Sequence, residues 1–400
     1  MQSMTVKEPL FKLVRFPQGS YITLEGEKRS TSFFIIKEGK ISLKRDFVPP
    51  GGKKAETLGM GDFFGVISAM SQYPQVESAI ALTNSVLISI TYNRFSELIQ
   101  KNTPLALKII RYFSKMLREF NVATSQGAKT GFISSASDLS LLFSMAENYF
   151  QMGNIEYSIY LYQSYLRYMP TGEYRNEAIK KLKELGAALT PPPEQQGLNR
   201  HYSGSQMIFS ENEPGNDMFI IQRGKIKISK LIDGVDVTLA ILNQGDIFGE
   251  MALLENKPRS ASAISVEPVE LLVINRKNFE NMVKTQPQLM TRIIVLLSER
   301  IWGAYKKLAN SMLTDLNGRF ADMLLTLAEK NRVKIAPRLE HDYQLNVFDF
   351  LKMMGLTDRD ALSFQKFTGN NKFIRIERDS IVCHDMALLE RLVYSYREGR

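Results

Sequence analysis

The chain has 400 residues but only one cysteine, one tryptophan and three histidines. A lone thiol, Cys383, excludes an internal disulfide framework and a four-cysteine cluster within one chain. Cys383 and His384 are adjacent, but a metal site needs more ligands than one such pair. With only His201 and His341 elsewhere, no metal is expected. Long apolar runs are missing too. None reaches the ~18 residues that a membrane span requires, and the first eight residues lack the apolar core of a secretory signal. The expected setting is reduced, cytoplasmic and away from the membrane. No Walker loop, zinc spacing or nucleophile–base pairing is present, so nothing argues for an enzyme or a resident cofactor. Acidic residues are outnumbered, 42 against 51 basic ones, which leaves a net charge of +9. That excess admits a polyanionic partner without naming one.

The most informative stretch that is present runs Ile247-Phe248-Gly249-Glu250-Met251-Ala252-Leu253-Leu254-Glu255-Asn256-Lys257-Pro258-Arg259-Ser260-Ala261. A turn at Gly249 followed by a short helix presents backbone N–H groups to an anion. Arg259 supplies a planar, permanently charged fork for phosphate oxygens. Glu250 is an acceptor suited to a ribose hydroxyl. Around this stretch, short strands alternate with Gly, Pro and Asp turns from Gly204 to Ile274, the pattern of a small barrel or jelly roll.

In these residues the segment from about Tyr202 to Met312 resembles the cyclic nucleotide-binding domain of the catabolite-activator (Crp–Fnr) family. The resemblance implies a phosphate held by Arg259 and Ser260, with Glu250 on the ribose 2′-hydroxyl. Gly249, Met251, Ala252 and Ala261 then complete the cassette. Ser260 after the arginine is similar to the cyclic-AMP form of the cassette, so the expected ligand is cAMP.

The same pattern occurs earlier. Phe34-Ile35-Ile36-Lys37-Glu38-Gly39-Lys40-Ile41 echoes Phe219-Ile220-Ile221-Gln222-Arg223-Gly224-Lys225-Ile226, and Gly61-Asp62-Phe63-Phe64-Gly65 echoes Gly245-Asp246-Ile247-Phe248-Gly249. Such self-similarity marks a repeated unit. Its chemistry has changed, however. With Gly65 set against Gly249, an offset of 184, Val66 stands for Glu250, Gln75 for Arg259, Val76 for Ser260 and Glu77 for Ala261. Each lost charged hydrogen bond costs about 1.5–3 kcal/mol. The first copy is therefore expected not to bind the usual ligand.

Between the copies, Leu142, Ala146, Tyr149, Gly153, Ser158, Tyr162 and Pro170 fit a ~34-residue helix–turn–helix frame that resembles one tetratricopeptide repeat. A third amphipathic helix over 173–185 follows. One repeat cannot bury its own face, so residues 138–188 must pack on a neighbouring domain or on a protein partner. Pro191-Pro192-Pro193 and Gln195-Gln196-Gly197 mark a stiff linker.

After the second barrel, Ile294, Leu297, Ile301, Ala304 and Leu308 recur in steps of three and four, a short coiled-coil seam. The family resemblance implies that this helix pairs with a partner and caps the base. It pairs either in a homodimer or with its counterpart over 105–120 as an intrachain pseudo-dimer. Ala304 and Tyr305 fall where the family meets adenine, and the Tyr305 ring is expected to stack on the base.

The remainder resembles the winged-helix domain of the same family. A helix opens at Leu316, Leu345-Asn346-Val347 reads as a strand, and helices over 348–354 and 358–367 flank the Gly355-Leu356 turn. Strands at Phe373-Ile374-Arg375-Ile376-Glu377 and Ser380-Ile381-Val382-Cys383 would form the wing, before a last helix from Met386. Thr357, Arg359, Ser363 and Lys366 are the candidate DNA contacts, since bases and phosphates are read by such side chains. Asp358 and Asp360 at the same end oppose phosphate.

The expected architecture is an α+β multidomain chain. It has a degenerate cyclic nucleotide-binding-like jelly roll (1–125), a helical hairpin insert (126–188) and a linker (189–200). A cyclic nucleotide-binding barrel with its long helix (201–314) and a winged helix (315–400) follow. The expected function is allosteric, cAMP-responsive transcription regulation through DNA. The alternative is a nucleotide-controlled scaffold that does not bind DNA.

Overall fold

A computed structural model describes residues 10–28, 31–49, 51–125, 139–191, 197–232, 234–255 and 257–398. Asn256 of the cassette, the Pro192-Pro193 and Gln195-Gln196 parts of the linker, and the first eight residues lie outside the described residues. By compactness the chain divides into two units. One takes residues up to Phe95, 119–129 and everything from Ser298 onward; the other takes 96–118 and 130–297. The linear boundaries expected at 125 and 314 therefore differ from this division, because each long helix contributes to both units.

The first unit contains a barrel of two antiparallel four-stranded sheets. In one, the strands run in the order Lys12–Phe16, Ser85–Thr91, Ser32–Glu38, Phe63–Phe64; in the other, Tyr21–Thr23, Ser78–Ala81, Ile41–Lys44, Ala55–Leu58. Inward-facing Ile36, Ile41, Leu43, Phe64, Ala79 and Leu87 fill it. The period-two alternation of apolar residues read from the sequence is what places them on one face.

The second unit repeats that order strand for strand. One sheet runs Ile247–Phe248, Asp217–Arg223, Val269–Asn275, Asn199–Tyr202, and the other Met207–Phe209, Ser262–Ser265, Ile226–Ile232, Val235–Leu242. Phe209, Phe219 and Phe248 stack at the centre, with ring centroids 5.0–5.8 Å apart.

Helices Leu141–Gln151, Ile155–Tyr168 and Arg175–Glu184 belong to the same unit. The first ends at Gly153, whose φ of +77° suits glycine. The tyrosine-rich face packs inward. Tyr149, Tyr162 and Tyr165 are fully buried in one cluster with Leu142, Ala146, Leu182 and the barrel residues Met207 and Ile264. The apolar face formed by these residues is thus covered by the second barrel.

Two long helices, Thr103–Ser125 and Pro287–Ser311, follow the barrels. Within the first unit they touch: the rings of Phe120 and Tyr305 lie 5.8 Å apart. The second helix also carries Trp302, which stacks at 4.5 Å on Tyr73 of the first barrel.

The C-terminal part of the first unit has its own core, in which Phe320, Phe350, Phe364 and Phe367 meet. Asp315 caps helix Leu316–Lys330 by accepting the Asn317 N–H at 2.7 Å. The strand expected at Leu345-Asn346-Val347 is not one. Asn346 instead caps helix Val347–Met353, accepting the Asp349 N–H at 2.8 Å, and the strand lies earlier, at His341–Asp342. A short polar side chain at the cap position outweighs the β-preference of Val347. The helix expected over 358–367 also starts differently. Thr357 and Asp360 form a reciprocal capping box that tightens Asp358–Asp360 into a 3₁₀ turn, and the α-helix runs Ala361–Asn370. A hairpin, Ile374–Glu377 with Ser380–Cys383, turns through Arg378 and Asp379 at positive φ. Cys383 is buried there, and His384 sits between Glu340 and Glu377 at 2.7 and 3.0 Å. Among the described residues no helix is long and apolar enough to cross a membrane.

Candidate functional site

The cassette of the second barrel is built around a buried guanidinium. Gly249 takes φ +75°, the chain turns, and helix Glu250–Glu255 follows. Pro258 then returns the chain so that Arg259 points inward, 6% exposed. Its Nη1 donates to the carbonyls of Asp217 at 2.7 Å and Gly249 at 2.8 Å. Its plane lies over Phe209, 4.1 Å from the ring centroid.

Two glycines make room for it. A Cβ at Gly215 would stand 2.4 Å from Nε, and one at Gly249 would stand 2.6 Å from Nη1. The Glu213-Pro214-Gly215 turn, read from sequence as a strand connector only, is therefore part of the arginine's seat. Burial pushes the Arg259 guanidinium below its ordinary range, while Asp217, Glu213, Tyr160 and Glu250 push it back up. Its buried Nε has no hydrogen-bond partner among the described residues. A buried charged donor without a partner costs free energy.

Glu250 is 1% exposed at the start of the cassette helix, where a carboxylate is favoured by the helix dipole. Met251 and Ala252 are buried beside it. The Ser260 hydroxyl contacts the Met251 sulfur at 3.7 Å, so it lies next to the cassette helix.

Two residues of this neighbourhood escaped the sequence reading. Glu213 is 3% exposed. Its carbonyl accepts the Arg259 N–H at 2.8 Å, and its carboxylate accepts the Tyr160 hydroxyl at 2.9 Å and the Ser210 N–H at 3.1 Å. Burial raises the Glu213 carboxyl above its usual range, and burial followed by the nearby Glu213 charge raises the Tyr160 hydroxyl well above its own. Tyr160 belongs to the insert, so one residue links the insert to the arginine. No local signal in the sequence joins positions so far apart.

Among the described residues of this unit, two clefts are lined by neither Arg259 nor Glu250. One, of about 480 Å³, lies between Ile220–Gln222, Gln244–Gly245 and the start of the long helix at Leu289–Leu296. The other, of about 530 Å³, lies between helix Ile155–Tyr168 and the strands around Tyr202–Ile208.

Tyr305 is placed differently from expectation. It belongs to the first unit and is 3% exposed. Its ring packs against Phe47 and Phe120, and its hydroxyl donates to Glu25. The faces expected to stack on a base are already covered by protein.

Glu25 brings a testable pH dependence. Its carboxylate also accepts the Asp46 N–H at 3.0 Å. Burial pushes its carboxyl up to about 6, against the hydrogen bonds from the Tyr305 hydroxyl and the Asp46 N–H, which lower it; the Asp46 charge raises it and Arg397 lowers it. A carboxyl raised in the folded state adds stability below its unfolded value, and that contribution is lost as pH rises through 6. Glu25→Gln should therefore flatten the melting temperature between about pH 4.5 and 6 and raise it above pH 7. Parallel pH-dependent slopes for variant and wild type would contradict this placement.

In the C-terminal part, Arg359 and Lys366 are exposed, Ser363 is half-buried, and Thr357 is exposed with its hydroxyl on Asp360 at 3.1 Å. Asp360 is thus committed to capping. Leu362, on the same helix, is 69% exposed.

A family profile described as the cyclic nucleotide-binding domain matches residues 13–102 and 199–286. A CRP-like cAMP-activated global transcriptional regulator of Mycobacterium tuberculosis is 26% identical over 185 residues, which is 46% of this chain and 83% of that protein. The cyclic AMP receptor protein of Thermus thermophilus is 25% identical over 196 residues, 49% of this chain and 88% of that protein. The crystal structure of the Thermus thermophilus catabolite activator protein covers 50% of this chain and 90% of its own, at 24% identity and a TM-score of 0.29. The chain carries two copies of the cyclic nucleotide-binding domain, one in each repeat, and is similar to CRP-like regulators.

Proposed function

We propose that this chain is a cyclic nucleotide-responsive transcriptional regulator in which the second barrel takes the ligand, cAMP by the Ser260 criterion, and the C-terminal part binds DNA. The observation that carries the reading is the pair of buried charged side chains on one cassette, Glu250 at 1% and Arg259 at 6% exposure. Arg259 neutralises the phosphate, Ser260 adds a hydroxyl donor, and Glu250 takes the ribose. Gly249 and Ala252 lend backbone groups. The two similar regulators named above are cAMP-activated or cAMP receptors by name. Helix Ala361–Asn370 with the hairpin after it supports a winged-helix output, in which Arg359, Ser363 and Lys366 face the groove. The Phe120–Tyr305 contact supports intrachain pairing of the long helices.

The exposed Leu362 and Phe348, at 69% and 51%, favour a second reading, in which this surface meets protein and the chain is a nucleotide-controlled scaffold. Binding to random duplex at increasing salt separates the two. A regulator should lose affinity with a slope of about −0.9 per phosphate contacted, and a scaffold should show no binding. For the ligand, saturating cAMP at about 100-fold its Kd should stabilise the folded chain by about 2.7 kcal/mol. A melting temperature indifferent to cyclic mononucleotides would refute the assignment.

A further inference from the structure

We infer that the first barrel carries its own anion: the Glu77 carboxylate occupies the cassette of that copy and holds it closed without any bound ligand. Glu77 is 3% exposed. Its Oε1 accepts the N–H of Gly65 at 3.1 Å, and its Oε2 pairs with Nη2 of Arg45 at 2.9 Å. A guanidinium and a glycine amide are the donor set that a phosphate oxygen would take, and here one carboxylate takes both.

The register between the copies makes the substitution specific. Gly65 matches Gly249, and Glu77 matches Ala261, which brings no carboxylate. At the arginine position the first copy has Gln75, 3% exposed and neutral. The cassette has lost the guanidinium that would meet an external anion and has gained an internal negative charge. An incoming phosphate would face repulsion from Glu77 and would find Arg45 already paired. The first barrel is therefore closed to cyclic phosphates by its own side chain, not merely poor at holding them.

The surroundings are built around this closure. All six residues of helix Val66–Ser71 are buried. The helix is fastened by Ser68 Oγ donating to the Pro74 carbonyl at 3.1 Å and Ser71 Oγ to the Ile67 carbonyl at 2.7 Å. Thr23 Oγ1 donates to the Glu77 carbonyl at 3.3 Å. Just beyond the helix, Tyr73 stacks on Trp302, the only tryptophan of the chain, at 4.5 Å. Trp302 emission therefore reports on this cassette. The inference does not depend on nucleotide binding by the second barrel.

The test is chemical rescue in the full chain. Glu77→Ala removes the carboxylate and leaves its donors in place. Its melting temperature should fall by several degrees, on the order of 5 °C, with a shift in Trp302 emission. Sodium acetate or inorganic phosphate at about 100 mM should restore at least half of both changes, and sodium chloride of equal ionic strength should not, because screening alone supplies no acceptor. Adding Arg45→Met to Glu77→Ala should abolish the rescue. Wild type should show no anion-dependent shift in Trp302 emission. Equal effects of acetate and chloride, or rescue that survives Arg45→Met, would overturn the inference. If Glu77→Ala yields no soluble protein, Glu77→Gln carries the test. It keeps an acceptor for Gly65 but loses the charge, and it should melt below wild type by an amount that disappears in the Arg45→Met background. A Gln variant as stable as wild type would overturn the inference equally.

Discussion

Replacing Arg259 by alanine should abolish useful cyclic nucleotide binding while leaving the barrel folded. A charged donor lost from a buried contact costs about 1.5–3 kcal/mol. Two such contacts to phosphate oxygens put the loss at about 3–6 kcal/mol, a fall in affinity between roughly 100-fold and 10⁴-fold. Arg259→Lys is the informative companion. It keeps the charge but loses the fork, so it should fall between wild type and alanine. Arg259 also donates to the carbonyls of Asp217 and Gly249. Alanine should therefore lower the melting temperature modestly as well, and circular dichroism is needed to confirm the fold. Calorimetry that returns an unchanged affinity for Arg259→Ala would refute the site.

The second large effect concerns stability in the first unit. Asp322 is 1% exposed on helix Leu316–Lys330 and is paired with Arg397 of the last helix, Met386–Glu398. Asn310 Nδ2 donates to the same carboxylate at 3.1 Å. Removing one partner of a buried pair leaves an uncompensated charge, which costs about 3–5 kcal/mol. Arg397→Met should destabilise the chain by this order and should also loosen Phe47, whose ring lies 5.6 Å from the guanidinium carbon. Asp322→Asn in the Arg397→Met background should recover much of the loss, because it removes the stranded charge. Urea unfolding that finds Arg397→Met within about 0.5 kcal/mol of wild type, the range of ordinary surface changes, would contradict the burial of this pair.

What the sequence made legible was local or repeated. The short strands of the second barrel followed from alternating apolar residues between glycine turns, and the internal echo between Phe34 and Phe219 located the first copy; the order of strands within each sheet did not follow from either. Glu250 and Arg259 were readable because their spacing lies within one short turn and helix. The strand at Val347 was misread because a cap at Asn346, a three-residue feature, outweighed β-propensity. Tyr305 was misplaced because counting along a helix gives its rotation but not which neighbour it meets. That neighbour is Glu25, 280 residues away in the chain. Tyr160 with Glu213 and Arg45 with Glu77 were invisible for the same reason. Each joins elements whose proximity depends on the packed fold. The loss of Arg259's counterpart in the first copy and the carboxylate at Glu77 were legible; the Arg45 and Gly65 donors that hold that carboxylate were not.

Stoichiometry tests the central claim most directly. Isothermal titration of the intact chain with cAMP should give one site per chain, lost in Arg259→Ala and untouched by changes at Gln75. Two sites, or one site that survives Arg259→Ala, would contradict an account in which only the second cassette is open to a cyclic phosphate.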